Sequence, residues 1–152
     1  MTRDRRRKVE VRAHQAATGT PYLVARRQIT SPTLVEVMQQ HPLLSRFGIG
    51  VYDPLRKTTE QRKAELAADR ERLAEDEAMV METTAWLREN ITPIKTPTAS
   101  SYYVKHVMER TTRTYVANGV FIAAALIAGY PFKYEQPNVL FGMSRRDLKR
   151  MN

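Results

Sequence analysis

The chain has 152 residues, 25 Lys/Arg against 16 Asp/Glu, a net charge of +9 and no cysteine. That length holds one domain, or one small domain with an appendage. The lack of cysteine excludes disulfides, thiolate-bound zinc, iron–sulfur clusters and thiol nucleophiles, and the cationic excess makes a polyanion the expected partner, nucleic acid above all.

The basic N-terminus is followed by no apolar region, so it is not a secretory signal. The longest apolar run, residues 120–128, is far short of the roughly 18 residues a membrane span needs. The expectation is a soluble cytoplasmic protein with no membrane partner. Charge is segregated. Residues 1–30 hold eight Lys/Arg and two acids, residues 58–90 five and nine, and residues 91–152 nine and three. Two basic ends flank an acidic middle. The expected parts are a basic helical segment over 1–42, a connector over 43–57, a long acidic helix over about 58–90 and a core cassette over 91–152.

Arg3, Arg5, Arg6, Arg7, Lys8 and Arg12 form an arm of the kind that gains order on a phosphate backbone. From about Val9 the spacing turns helical, with Val9, Ala13, Ala16 and Ala17 on one face, up to Gly19. Thr20-Pro21 reads as the start of a second helix with Arg26 and Arg27 outward. Ser31-Pro32 repeats the signature for a third, through Val35 and Met38, ended by His41-Pro42. Three short helices and a basic arm have the outline of a helix-turn-helix module. Gln15, however, stands where a small apolar residue should make the helix contact.

Phe47-Gly48-Ile49-Gly50 has neither a following GK[ST] nor GxGxxG spacing. It reads as an extended connector laid on the core, not a phosphate loop. Thr58 or Thr59 then caps the long helix. Leu66, Leu73, Val80 and Leu87 recur every seven residues, but the complementary positions are charged or threonine. Docking of this stripe on the chain's own core, with Trp86 as anchor, is therefore favoured over a homodimer. Glu75, Asp76, Glu77 and Glu82 lack the ligand spacing of a cation site, and their charge repels nucleic acid. The same helix, or an aromatic patch of Tyr102, Tyr103 and Trp86, is the expected seat of any protein partner.

Residues 92–98 read as a linker. Ser100 or Ser101 caps a helix with Val104, Val107 and Met108 inward, and Asn118-Gly119 leads into the apolar run, which Gly129 ends. A run with no polar face must be covered on all sides, so it is the central buried helix. A short β-hairpin is predicted over about 132–143, with Gln136-Pro137-Asn138 as its turn. Ser144 caps a basic terminal helix with Asp147 near its start. The fold class is mainly α. Two helices and a hairpin invite comparison with a winged helix, yet the apolar helix has nothing to offer a base or phosphate and must be scaffold. Contacts then fall to Lys105, Arg110 and Arg113, or to Arg145, Arg146, Lys149 and Arg150.

The segment SSYYVKHVMERTTRTYVANGVFIAAALIAGY, with the later PNVLFGMS, resembles a cassette in small plasmid and phage proteins. Its pattern runs SSY-x-x-KH-x-x-E, YV-x-NG-x-x-IAAA-x-x-AG, then PN. The matched residues include Tyr102, Lys105, His106, Glu109, Tyr115, Asn118, Gly119, Pro137 and Asn138. RAHQAATGTPYLVARRQ similarly resembles a short basic element of actinobacterial proteins. These resemblances imply a mobile-element origin, where small basic proteins handle DNA or inhibit a host complex. They supply no activity.

His106 sits beside Lys105 and Glu109, but acid–base work needs an orienting partner and a pocket, and a surface ion pair explains the spacing equally. His14, His41 and His106 are not at metal spacing. With no nucleophile–base pair, metal set or cofactor motif, an enzyme is not expected. The expected function is nucleic-acid binding, DNA before RNA, as an accessory or regulatory protein. The alternative is a protein-partner-binding inhibitor or assembly factor.

Overall fold

The computed structural model describes residues 3–19 and 31–152. The chain divides into two units, residues 1–32 and 33–152.

In the first, α1 spans Arg3–Thr18. The basic run is itself helical, where the sequence places the helix start near Val9. Arg and Lys are good helix formers, which accounts for the longer helix. Among the described side chains the buried position is Val11, while Val9, Ala13, Ala16 and Ala17 are exposed. The face expected from alanine spacing is thus not the packed one. Gly19, at φ +69°, ends the helix, its N–H donating to the Gln15 carbonyl at 2.8 Å. The second predicted helix, with Arg26 and Arg27, lies outside the described residues.

The second unit holds α2 (Leu34–Gln40), α3 (Thr59–Glu75), α4 (Glu77–Asn90), α5 (Ser101–Thr112), α6 (Asn118–Ala128) and α7 (Arg145–Met151). Its strands are β1 (Ala99–Ser100), β2 (Phe132–Glu135) and β3 (Asn138–Phe141). The mainly helical class and the C-terminal hairpin are as predicted. Helix α6 is the centre: every residue from Gly119 to Ile127 is buried. It packs against α2, α4, α5 and β3. Each Leu, Ile or Phe side chain so covered contributes about 1.5–3 kcal/mol.

Helix α2 is capped by Thr33, not Ser31; its Oγ1 accepts from the Glu36 N–H at 3.2 Å. Leu34 and Val37 face the core, and Val35 is exposed. The α2 C-terminus is closed by a residue far along the chain. Arg70 donates to the carbonyls of Met38, His41 and Leu44 at 2.7, 3.0 and 2.7 Å, a cation at the negative end of a helix.

The predicted long helix is two. Asp76, at φ −86° and ψ 20°, separates α3 from α4. Its carboxylate takes a 2.7 Å bond from Arg46 Nε. Thr58 and Gln61 make a complete capping box at the start of α3. Leu73, Val80 and Leu87 of the heptad stripe are fully buried in this chain's own core. That stripe is not free for a second copy.

The hairpin pairs Phe132 with Phe141 and Tyr134 with Val139, antiparallel. Strand β1 adds to the other side of β3, Ala99 opposite Phe141, giving the order β1-β3-β2. Residues 43–50 form a tight turn rather than an extended connector: Leu44 bridges Ile49, and Gly50 N–H donates to the Leu43 carbonyl at 2.7 Å.

Candidate functional site

Most cations in the middle of the chain are engaged internally, Arg56 and Lys63 being exposed without a carboxylate partner among the described residues. Arg46 pairs with Asp76 at 2.7 Å, Arg62 with Asp53 at 3.2 Å, Arg72 with Asp69 at 3.4 Å, and Lys57 with Glu65. Arg70 is bound to carbonyls, as above.

The C-terminal cations differ. In α7, Arg145, Arg146, Lys149 and Arg150 are exposed, while Leu148 is buried. Positions i, i+1, i+4 and i+5 of a helix fall on one face, so the four cations share it. Helix α7 packs on α5, and Arg110 of α5 donates to Asn152 Oδ1 at 2.5 Å, a neutral partner that leaves its charge uncompensated. Arg113 ends α5 in the left-handed conformation, φ 61°. No carboxylate among the described residues pairs with Arg113, Arg145, Arg146 or Lys149. Arg150 has Asp147 at 3.5 Å. That carboxyl is held below its ordinary range, first by the Thr92 N–H at 2.8 Å.

In the first unit Arg5, Lys8 and Arg12 are exposed and, at i, i+3 and i+7, share a stripe of α1. Arg3, Arg6 and Arg7 lie on the same helix.

Lys105 does not join these surfaces. It is 5% exposed, with Nζ 2.9 Å from Glu109 Oε1, so it is not a phosphate-contacting surface cation. It belongs instead to the floor of a cleft of about 690 Å³ between α5, the start of α6, the 46–47 turn, Asp69 of α3 and the hairpin turn. Glu109 holds this floor together. Its Oε1 also accepts the Val116 N–H at 3.1 Å, and its Oε2 lies 3.0 Å from His106 Nδ1. Burial pushes the Glu109 carboxyl up, but the Lys105 bond, the Val116 N–H and His106 outweigh it, and the pKa ends below the ordinary value. His106 thus has both an orienting carboxylate and a cleft, where its spacing reads only as a surface pair.

Two tyrosines stand over Lys105. Its Nζ is 5.5 Å from the Tyr102 ring centroid and 5.2 Å from that of Tyr115, within cation–π range. Both rings remain largely exposed, 55% and 67%. Tyr102 also meets the His106 ring edge-on at 4.5 Å. At the start of α6, Asn118 Nδ2 donates to Asn138 Oδ1 at 2.9 Å and to the Phe47 carbonyl at 3.4 Å. Asn118 Oδ1 is buried without a hydrogen-bond partner.

Two glycines make this meeting possible. A Cβ on Gly119 would lie 1.7 Å from the Ser45 carbonyl oxygen, and one on Gly48 2.4 Å from that of Pro137. Those close approaches bring Arg46 and Phe47 beside Asn118 and the hairpin turn.

The cleft is assembled from five separated segments, and composition alone gives no sign of it. Tyr102, Lys105, His106, Glu109, Tyr115, Asn118 and Asn138 all line or support it. Among the described residues no three His, Asp or Glu are grouped to hold a metal ion, and no helix is long and apolar enough to cross a membrane. Compared with known proteins, the chain matches no family model, and no curated protein or solved structure matches it significantly.

Proposed function

We propose that the protein is a small cytoplasmic nucleic-acid-binding accessory or regulatory protein, of mobile-element origin, with no catalytic role. It contacts phosphates through Arg110, Arg113, Arg145, Arg146 and Lys149, with the α1 stripe as a second cationic element. The observation that supports this reading is the contrast in partners. Arg46, Lys57, Arg62 and Arg72 are neutralised by nearby acids and Arg70 is bound to carbonyls, whereas Arg110, Arg113, Arg145, Arg146 and Lys149 are exposed without a carboxylate partner among the described residues. Phosphate contacts of that kind release condensed counterions and are sequence-independent.

The test is fluorescence anisotropy of labelled duplex and single-stranded oligonucleotides titrated at several salt concentrations. Binding should weaken linearly in log–log form as salt rises. Affinity indifferent to salt, or absent at low salt, overturns the reading. Recovery of one protein partner from cells regardless of nuclease treatment would favour the inhibitor or assembly-factor alternative.

A further inference from the structure

We propose that the cleft over Lys105 receives one unpaired nucleobase, stacked on Tyr115 and Tyr102 and hydrogen-bonded by Asn118. This rests on the nucleic-acid reading for its source of bases but on separate residues for its evidence. A cleft of about 690 Å³ lies within the ~300–1,000 Å³ range of pockets that take small organic molecules.

Three observations converge on a flat, aromatic ligand with N–H groups at its edge. Both tyrosine rings are solvent-facing yet tied from beneath by the same buried ammonium. Rings so anchored need little further ordering to stack. Asn118 Oδ1 is a buried acceptor with no donor, and leaving such a group unmet is unfavourable. A ligand N–H supplies the missing donor. Asn138 uses its side-chain oxygen toward Asn118, so its amide nitrogen is a second hydrogen-bonding group at the same cleft. An acceptor and a donor are what base edges pair with.

The experiment compares a single-stranded oligonucleotide with an abasic strand carrying the same number of phosphates. The wild-type protein should bind the base-bearing strand at least about fivefold more tightly, given ~1–3 kcal/mol per stacked base. Tyr115→Ala should abolish that margin and leave abasic-strand binding unchanged. Asn118→Ala should reduce it as well. If Asn118→Ala fails to fold, Tyr115→Ala still decides, because that ring is largely exposed.

Equal affinity for the two strands overturns the cleft proposal while leaving phosphate contact standing. If neither strand binds, the phosphate reading fails, and mononucleotides titrated by amide NMR decide the cleft. Shifts at Asn118 that vanish in Tyr115→Ala support a base taken from a free nucleotide. The absence of such shifts overturns the proposal.

Discussion

Replacing Gly119 by alanine sets two physical effects against each other. Helix propensity alone favours the change, by about 1 kcal/mol within a helix. The structure opposes it. The new Cβ would lie 1.7 Å from the Ser45 carbonyl oxygen and 2.7 Å from Cα and C of Arg46. These are backbone atoms, so no rotamer change relieves the contact. Forced overpacking costs about 1–3 kcal/mol, and an approach this far inside van der Waals contact belongs at the upper end. Separating the turn from α6 also loses the 2.9 Å bond from Gly119 N–H to the Arg46 carbonyl, worth about 1 kcal/mol. The net expectation is a destabilisation of about 3 kcal/mol. For a chain of this length that lowers Tm by about 6–12 °C. Thermal unfolding followed by far-UV circular dichroism reads this directly. A Gly119→Ala protein as stable as wild type, or more so, would refute the packing account of the 45–46 turn and with it the assembly of the cleft.

Other outcomes follow from the same geometry. Arg70→Met removes three bonds to carbonyls at the end of α2, and urea denaturation should show a loss of about 1–3 kcal/mol; no loss would mean that water replaces the guanidinium. Glu109 has a pKa depressed below 4.5 in the fold. Its contribution is complete above that ordinary value and lost as pH falls through the folded pKa. Glu109→Gln should therefore flatten the acid-side decline in stability below about pH 4.5, and an unchanged profile would contradict the ion-pair floor. His41, beside Tyr134, has its pKa lowered from 6.5 by burial. The unfolded chain then binds the proton more readily, so stability should fall as pH drops below about 6.5. A His41→Gln variant should lose that component, as measured by Tm against pH.

Much of the fold is legible because its signals are local. The apolar run of α6 has no polar face and admits no reading but burial. The Leu73, Val80 and Leu87 stripe and the caps at Thr58 and Ser144 carry their own period and chemistry. The break at Asp76 is invisible in sequence because helical periodicity runs straight through it, and the bond it makes comes from Arg46, thirty residues earlier. Strand β1 is two residues long and exists through its pairing with β3, so nothing in Ala99-Ser100 announces it. In α1 the alanines mislead because small residues suit an exposed helix face as well as a packed one.

The cationic side chains of α7 are plain in the sequence, but which of them keep their charge uncompensated depends on where the acids fold. Lys105 shows the limit. Its spacing to Glu109 fits a solvent-exposed pair, and only tertiary packing under Tyr102 and Tyr115 turns it into a buried one. Asn118 and Asn138 are likewise ordinary turn residues until the hairpin brings them together.

The most direct test of the account is the salt dependence of binding in a charge-neutralised variant. If Arg145, Arg146 and Lys149 each meet a phosphate of duplex DNA, replacing all three by alanine should reduce the slope of log K against log salt by about 2.7, at ~0.9 per contact. Circular dichroism should stay unchanged, because all three side chains are exposed. A variant that binds with the wild-type slope would show that these cations do not touch the polyanion, and the account would fail at its centre.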